Sequence, residues 1–265
     1  MAEALKGTFV ATLLWRLFTV AVVIFMVTPI ILVMLFSFNQ SALTSLPLTG
    51  FTLDWYRRLF ANTAFWPALQ NSLIVGFTVA AVSVVTGTLA ALALARMRER
   101  NAAITISLLS VPMMLPALII GIALLSYFVR LLDLPLSLGT VVLGHLLIAQ
   151  PFVILIVYAR LASFDWAAVE SARDLGASPF TAFRTVTLPM LQPTLIGAAL
   201  IALSISLDDF VITFFTIGGG NTLPTMVWGM VRTSLDPTIN AMATLLILLS
   251  IGSTIIALRL SRYRG

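Results

Sequence analysis

The chain has 265 residues, of which 60% are hydrophobic and 9% are charged, and its formal net charge is +5. Soluble globular domains carry about 25% charged residues, so this composition predicts a bundle of membrane-spanning helices instead of a soluble domain. The lack of cysteine excludes disulfides, thiolate metal sites and cysteine nucleophiles, and the single histidine excludes a cluster of imidazole ligands. Basic residues lie between apolar segments, which favours membrane topology over nucleic-acid binding as the reason for the positive charge.

Six apolar runs are long enough to cross a hydrocarbon core, which takes about 20 helical residues. They lie at residues 13–38, 69–95, 104–129, 139–160, 190–215 and 239–260. We therefore predict an all-α integral membrane protein with six transmembrane helices. The first run follows Lys6 and Arg16, as in a secretory signal, but it is too long for the core of a signal and lacks a clear small-residue cleavage site. We interpret it as a retained span.

An even number of spans puts both termini on one side of the membrane, and the positive-inside rule decides which side. The basic residues on the side of the termini are Lys6, Arg16, Arg96, Arg98, Arg100, Arg160, Arg173, Arg184, Arg259, Arg262 and Arg264. Those on the opposite side are Arg57, Arg58, Arg130 and Arg232. This asymmetry predicts that both termini are cytoplasmic.

Several features outside and within the first three spans suggest how the helices pack. Between the first two spans, aromatic and charged residues alternate in a way typical of an interfacial helix on the outer leaflet. These residues are Asp54, Trp55, Tyr56, Arg57, Arg58, Phe60, Phe65 and Trp66.

The small residues Ser83, Gly87, Ala91 and Ala95 recur every fourth position in the second span, so this face is expected to pack inside the bundle. Pro112 and Pro116 should bend the third span, as a simple kink or as a gating hinge.

The loop at residues 165–193, on the predicted cytoplasmic side, is too polar to span the membrane. Asp165 can cap a first short helix, and Gly176 suits the position just past its end. Ser178 and Pro179 are typical of the N-cap and first residue of a second short helix. Pro189 and Pro193 then mark the start of the fifth span. The pattern predicts a stiff helix–turn–helix on one face of the membrane.

The loop contains, in order, Glu170-Ser171-Ala172, Gly176, Val186 and Leu188-Pro189. In residue type and spacing these residues resemble the EAA loop of ABC importer membrane subunits. The pattern of that loop is Glu-Ala-Ala, three residues, Gly, nine residues, Ile, one residue and Leu-Pro, with Ser171 and Val186 as conservative departures here. In that family the loop forms a coupling helix that seats in a cleft of the cytoplasmic ATPase subunit. The resemblance implies that ATP-driven closure of two ATPases moves the loop and swings the membrane helices between inward-open and outward-open arrangements. The implied coupling residues are Glu170, Ser171, Ala172, Asp174, Gly176, Leu188 and Pro189.

The resemblance covers essentially the whole chain. The segments 36–39, 54–56, 172–177 and 207–212, with Leu223-Pro224 and Asn240-Ala241, look like the second permease subunit (C-type branch) of spermidine and putrescine importers. The resemblance implies a type I ABC importer (MetI-like) permease fold in the bacterial inner membrane. It divides the chain into an N-terminal span with an interfacial segment (1–66), a permease core (67–260) and a cytoplasmic tail (261–265).

The same resemblance implies a set of partners. They are a homologous second permease, two cytoplasmic ATPase subunits and an external (periplasmic) substrate-binding protein. The cargo would be a polyamine or a similar small solute. ATP and Mg²⁺ would be bound by the partner ATPases, and no cofactor by this chain, in which we find no phosphate-binding sequence of the Walker type.

Asp208 and Asp209 are adjacent carboxylates toward the outer end of the fifth span. A carboxylate costs roughly 2.5–3.5 kcal/mol at the centre of a membrane helix, so both should face protein or water. Neighbouring helical positions point about 100° apart, so at most one of the two should face a pore. With Phe210 they form a candidate path for a cationic cargo; the alternative is a structural hydrogen bond or a pairing with the sister subunit.

Two further sites carry weaker signals. Gly219 and Asn221 lie in a glycine-rich stretch that is either a contact for the external binding protein or a flexible turn. His145, in the fourth span, is more typical of an interhelical hydrogen bond than of a ligand.

Three functional classes remain to be compared. A permease without enzymatic activity, for polyamines or for another small solute, fits all of the patterns above. A secondary transporter commonly has inverted repeats and charges near the membrane centre, and we find neither a convincing repeat nor such charges. An intramembrane enzyme needs a nucleophile and base or a metal cluster, which the sequence does not offer. Only the first class predicts co-purification with an ATPase.

Overall fold

A computed structural model describes residues 2–42, 45, 47–233 and 236–262 of the chain. The regular secondary structure of these residues is helical, apart from one isolated bridge that pairs Asn39 with Phe51. The helices are α1 (Ala2–Phe36), α2 (Asp54–Ala61), α3 (Phe65–Leu94), α4 (Glu99–Leu109), α5 (Val111–Met114), α6 (Ala117–Ser126), α7 (Leu138–Ala162), α8 (Trp166–Asp174), α9 (Pro179–Ala182), α10 (Leu188–Asp208), α11 (Val211–Thr216), α12 (Leu223–Thr233) and α13 (Thr238–Arg262). The predicted all-α architecture is confirmed.

Four helical segments in the described part of the chain are long and apolar enough to cross a membrane. They are Ala11–Phe36, Phe65–Leu94, Leu138–Ala162 and Pro179–Asp208, which correspond to the first, second, fourth and fifth predicted spans. The third and sixth predicted spans coincide with the shorter apolar helices Ala117–Leu131 and Thr238–Gly252. Six apolar segments therefore occur in the expected order, and the sixth belongs to α13, which has 25 residues, as α7 does. Of the predicted tail, residues 261–262 end α13, and residues 263–265 lie outside the described residues.

The prediction that residues 104–129 form a single helix bent at two prolines is wrong. Helix α4 ends at Leu109, α5 has four residues, and α6 begins at Ala117. Leu115 is extended (φ −86°, ψ 142°), which is the conformation that a following proline imposes on its neighbour. Pro112 and Pro116 therefore interrupt the helix instead of bending it, because each also lacks the N–H that a helical hydrogen bond requires.

One compact unit comprises the described residues between Thr63 and Gly229 and between Leu249 and Gly265. Its core lies where α3, α7 and α10 pack together and includes Val75, Val79, Val153, Val157, Leu191, Ala198 and Ala202. A Cβ atom added at Gly87 would lie 2.7 Å from Val153 Cγ1, so α3 and α7 approach too closely for any larger residue. Ser83, Gly87 and Ala91 are buried as predicted, while Ala95 follows the end of α3 and is exposed.

The other unit comprises the described residues between Met1 and Asn62 and between Met230 and Leu248. Its interior holds the first turn of α2, where the buried Trp55 donates its indole N–H to Asn39 O at 2.7 Å. The hydroxyls of Ser37 and Tyr56 lie 2.8 Å apart, which ties the end of α1 to α2. Leu59 is also buried, whereas Arg57 is exposed. Helix α2 is therefore amphipathic, as the interfacial prediction requires.

Candidate functional site

Helix α8 has the ends that its sequence predicts. The Asp165 carboxylate accepts a hydrogen bond from Ala167 N at 3.1 Å and caps the first turn. At the other end, Gly176 N donates to Arg173 O at 2.9 Å and Ala177 N donates to Ala172 O at 3.0 Å. This pair of bonds is a Schellman motif, which needs a left-handed residue just past the helix. Gly176 supplies it, with φ +92°.

The second half of the loop differs from the prediction. Ser178 does cap the next helix, because its hydroxyl accepts a hydrogen bond from Thr181 N at 3.1 Å. Helix α9, however, is not separated from the fifth span, since a π-helical turn at Phe183–Thr187 joins it to α10. The helical segment therefore runs for 30 residues from Pro179 to Asp208, or about 45 Å at 1.5 Å per residue.

The prolines of the loop do not end this segment. Pro189 and Pro193 lie in the first two turns of α10, directly after the π-helical turn. In a π-helical turn the hydrogen bonds join residues five apart instead of four. This shifts the pairing of the carbonyls near the two prolines, which have no N–H to donate, and lets the helix continue. The result is a rod that extends from the loop into the membrane-spanning part of the chain.

An open cleft separates α8 from the start of α9. It is lined by Glu170, Arg173, Asp174, Gly176, Ala177 and Pro179. Of the predicted coupling residues, Glu170, Asp174 and Gly176 line the cleft, and Ser171 and Ala172 lie on α8 beside it. Leu188 and Pro189 are not part of the lining and lie at the start of α10.

Two exposed apolar residues flank this cleft and were missed in the sequence. The Leu175 side chain is 90% exposed and the Phe180 side chain 71% exposed. Apolar residues on both sides of a glycine in a polar loop were the signal that could have identified them. Exposed apolar residues that are grouped into a patch are typical of a contact with another protein.

The prediction of a continuous fifth helix over residues 190–215 is also wrong. Helix α10 ends at Asp208, Asp209 is extended (φ −75°, ψ 108°), and α11 begins at Val211. The Asp209 carboxylate accepts hydrogen bonds from Ile212 N at 2.8 Å and from Thr213 N at 3.4 Å. A short acidic side chain that bonds to nearby backbone N–H groups competes with the helix, and here it starts a new one.

Helix α11 lies in a groove between α6 and α7. A Cβ atom at Gly121 of α6 would be 2.6 Å from Phe215 Cδ2, and one at Gly144 of α7 would be 2.6 Å from Ile212 Cγ2. At the end of α11, the Thr140 hydroxyl donates to Thr216 O at 2.7 Å. The two glycines thus allow the close approach, and the hydrogen bond satisfies a carbonyl that the helix end leaves open.

His145 connects α7 with both sides of the helix break, which is the interruption at Asp209 between α10 and α11. Its Nδ1 atom lies 2.8 Å from Ser206 Oγ of α10, and its Nε2 atom lies 2.8 Å from Thr213 Oγ1 of α11. The same Nε2 atom is 3.8 Å from Asp209 Oδ1, and the imidazole is 2% exposed. The predicted interhelical hydrogen bonding of His145 is confirmed.

The two adjacent aspartates occupy different surroundings. The Asp209 side chain is 16% exposed and caps α11, whereas Asp208 is exposed and receives no hydrogen bond from the part of the chain that the structure describes. His145, at the level of the break, lies seven residues from the start of α7, or about 10 Å along that helix. Asp208 is therefore an open carboxylate at the level of a membrane-spanning helix, about 10 Å from one end of that helix.

Three aromatic rings follow this carboxylate. The Phe210 ring lies 5.1 Å from the Trp228 ring and 5.5 Å from the Phe214 ring, measured between centroids. Phe214 and Trp228 are both exposed. Of these three rings, only Phe210 was predicted from the sequence. Its spacing of four residues from Phe214 was the signal for the second ring.

The glycine-rich stretch before α12 is anchored at several points. Asn71 Nδ2 donates to Asn221 O at 2.9 Å, and Leu223 N donates to Ser72 Oγ at 2.8 Å. Gly218 has φ +69° and packs against Leu136, where a Cβ atom would lie 2.8 Å from the carbonyl oxygen. Gly219 remains exposed with open space around its Cα atom. The stretch is therefore an exposed turn with fixed ends.

Residues 83–263 match the model of a protein family described as binding-protein-dependent transport system inner membrane component. The chain is 35% identical over 235 residues to the spermidine/putrescine transport system permease protein PotC of Escherichia coli (strain K12), covering 88% of each chain. It is 32% identical over 246 residues to the PotC protein of Haemophilus influenzae, covering 92% of this chain and 95% of that one. The putrescine transport system permease protein PotI of Escherichia coli (strain K12) is 35% identical over 230 residues, covering 84% and 82%.

Solved structures share the fold. A chain of a bacterial alginate ABC transporter in complex with a periplasmic protein superposes with a TM-score of 0.71 at 16% identity, covering 95% of this chain and 94% of that one. A chain of the MetNI methionine ABC transporter superposes with a TM-score of 0.60 at 18% identity, covering 75% and 94%. The predicted MetI-like permease fold of type I ABC importers is thus confirmed. The chain belongs to the binding-protein-dependent transport system inner membrane components, and it is a transport subunit rather than an enzyme.

Proposed function

We propose that this chain forms half of the translocation pathway of an ATP-driven importer whose cargo is a polyamine. The observation that carries the proposal is the open carboxylate of Asp208 at the helix break, at the depth of a membrane span. The names of the PotC and PotI relatives, which refer to spermidine and putrescine, support the choice of cargo. A polyamine carries several ammonium groups, so its recognition requires negative charge along the path.

The electrostatics of the break suit a cation. Asp208 is the last residue of α10, and the open carbonyls at a helix C-terminus carry a partial negative charge that adds to that of the carboxylate. An ionised side chain at this depth is costly unless water, protein or cargo meets it. Asp209 already meets α11 and His145, which leaves Asp208 for the cargo.

The aromatic rings add a second element of recognition. Phe210, Phe214 and Trp228 present contiguous ring surfaces close in the chain to Asp208. Aromatic faces attract ammonium groups and also pack against methylene chains. A polyamine alternates these two kinds of group, so a carboxylate followed by ring faces matches its chemistry.

Coupling to ATP hydrolysis is assigned to the loop between α7 and α10. Leu175 and Phe180 offer apolar contacts to an ATPase, and Glu170 and Asp174 lie at the cleft between them. A displacement of this loop would be carried along the rod from Pro179 to Asp208, since the segment is helical throughout. The rod thus joins the proposed ATPase contact to the proposed cargo contact.

The remaining partners follow from the same proposal. A homologous second permease completes the pathway, two ATPase subunits bind ATP and Mg²⁺, and an external binding protein delivers the cargo. The exposed turn at Gly219 and Asn221 is the candidate contact for that binding protein, and its fixed ends suit a docking surface. Both termini and the loop at residues 165–193 are placed in the cytoplasm, in accordance with the distribution of basic residues.

The test uses the complete complex in proteoliposomes, with its binding protein and ATPases. Uptake of labelled putrescine and spermidine is measured together with ATP hydrolysis. Asp208→Asn should raise the half-saturating polyamine concentration about tenfold or more, because a hydrogen bond to a charged group contributes about 1.5–3 kcal/mol. Asp208→Glu, which keeps the charge, should retain most of the uptake.

Two further variants serve as controls. Asp209→Asn should have a smaller effect than Asp208→Asn, since asparagine caps a helix about as well as aspartate does. Glu170→Ala should weaken the stimulation of ATP hydrolysis by cargo without changing membrane insertion. If the wild-type complex takes up another solute and no polyamine, the proposed cargo is wrong, while the importer remains.

A further inference from the structure

We infer that His145 is a positioning residue of the cargo path: it holds the break between α10 and α11 and thereby fixes the backbone position from which the Asp208 carboxylate extends. This inference rests on the proposed function, in which Asp208 meets the cationic cargo. It concerns residues of three helices that are brought together only by the fold, with His145 61 positions from Ser206 and 68 from Thr213.

The hydrogen-bond geometry assigns the tautomer of His145. The Thr213 hydroxyl donates its hydrogen to Asp209 O at 2.9 Å, so it has no second hydrogen to offer. His145 Nε2, at 2.8 Å from the same hydroxyl oxygen, must therefore carry the proton and donate it. Nδ1 is then the acceptor, and the Ser206 hydroxyl donates to it at 2.8 Å. Every donor in this chain of bonds has one acceptor.

These bonds run in one direction across the break. They lead from Ser206 in the last turn of α10, through His145 of α7, to Thr213 of α11 and back to the carbonyl of Asp209. Asp208 lies between Ser206 and Asp209 in the chain, so the network fixes the residues on both of its sides. Its carboxylate can change direction only if these bonds break or its own side chain rotates.

Burial makes the network difficult to disrupt. His145, Ser206 and Thr213 are buried, so no water is available to replace a broken bond. A donor or acceptor left unpaired in such surroundings is costly, and a shift of α10 relative to α11 would leave several unpaired at once. The break is therefore held in one geometry while Asp208 itself stays exposed.

The rod from Pro179 to Asp208 ends at this network. A displacement at the loop end of the rod would reach Ser206 before it reaches Asp208. The network is thus the point at which the rod meets the groove of α6 and α7, next to the carboxylate that is presented to the cargo.

The test compares Thr213→Val with Thr213→Ser in the complete reconstituted complex. Valine keeps the shape of threonine and removes the hydroxyl, so both bonds of Thr213 Oγ1 are lost, whereas serine retains them. Polyamine-stimulated ATP hydrolysis is measured against the concentration of spermidine. Thr213→Val should raise KM about fivefold or more and change kcat less than about twofold, and Thr213→Ser should remain near the wild type.

A double-mutant cycle separates positioning from a general structural effect. In the Asp208→Asn background, Thr213→Val should raise KM less than about twofold further, because the carboxylate that the network positions is already gone. Ser206→Ala, which removes the link on the other side of the imidazole, should show the same dependence on Asp208. This second variant keeps the test decisive if Thr213→Val does not assemble.

The outcomes distinguish the two proposals. A wild-type complex that responds to spermidine, with Thr213→Val and Ser206→Ala at the wild-type KM, would overturn the positioning role alone. Equal increases in KM in both backgrounds would also overturn it, since the effect would then not pass through Asp208. A wild-type complex that responds to no polyamine would overturn the proposed cargo and the positioning role with it.

Discussion

Substitution of Gly144 by alanine should displace α11 from its groove. The new Cβ atom would lie 2.6 Å from Ile212 Cγ2, whereas carbon atoms in contact are about 3.5–4.0 Å apart. The Ile212 methyl group is attached to a branched Cβ atom in a helix, where rotation about χ1 is strongly restricted. Helix α11 must therefore shift by about 1 Å or more.

This shift would also affect the hydrogen bond between His145 and Thr213. A lengthening of about 1 Å takes the Nε2–Oγ1 distance from 2.8 Å to well beyond the hydrogen-bonding range. Overpacking of this kind typically costs about 1–3 kcal/mol, and the lost bond adds to it. Since 1 kcal/mol corresponds to roughly 2–4 °C for a chain of this size, Tm should fall by several degrees.

The assay is thermal denaturation of the purified complex, followed by polyamine uptake in proteoliposomes. Gly197→Ala is the matched control, because it makes the same substitution inside α10, where a Cβ atom meets nothing within 4 Å. It should leave Tm unchanged or slightly raised. If Gly144→Ala has the Tm and uptake of the wild type, the groove has more room than these distances allow and the reasoning is wrong.

Three other substitutions test the loop and the aromatic rings. Gly176→Val should distort the end of α8, since a backbone φ of +92° costs a β-branched residue about 1–2 kcal/mol. Cargo-stimulated ATP hydrolysis should therefore fall. Stimulation equal to that of the wild type would contradict the Schellman assignment. Leu175→Asp should change the free energy of unfolding by less than about 0.5 kcal/mol, because the residue is 90% exposed. It should nevertheless reduce co-purification of the ATPase. Undiminished co-purification would show that the contact lies elsewhere. Trp228→Leu should raise the half-saturating polyamine concentration about two- to fivefold, and Trp228→Phe less, as expected for a cation–π contact of about 0.5–1 kcal/mol; equal effects of the two would refute it.

The sequence correctly predicted features that depend only on residues close together in the chain. Asp165 caps α8 and Gly176 ends it through bonds to residues at most five positions away, and both were predicted from residue type and spacing. The small-residue face of α3 was predicted for the same reason, since it depends on helical periodicity alone. The overall class, the all-α fold and the order of the apolar segments likewise follow from composition and hydropathy.

The failures occur where a polar or proline residue competes with an apolar run. Hydropathy alone extends the third span through Pro112 and Pro116 and the fifth span through Asp209, because it averages over the residues that interrupt the helix. Proline removes a donor, and the Asp209 carboxylate offers the backbone another partner. Both breaks also need neighbouring helices to satisfy the groups they expose, and a sequence window does not contain those neighbours.

Hydropathy and charge asymmetry are properties of the linear chain, and they were enough to predict a membrane-embedded protein. The resemblance of the loop at residues 165–193 to the EAA loop then implied a permease. The sequence also located the pair of aspartates and predicted that at most one of them faces a pore, but it did not say which one. The fold separated their roles, because the Asp209 carboxylate caps α11 and lies 3.8 Å from Nε2 of His145 on a distant helix, whereas Asp208 is exposed. Asp208 stays exposed because of the way the helices pack around it. That packing cannot be read from a sequence in which two identical residues stand side by side.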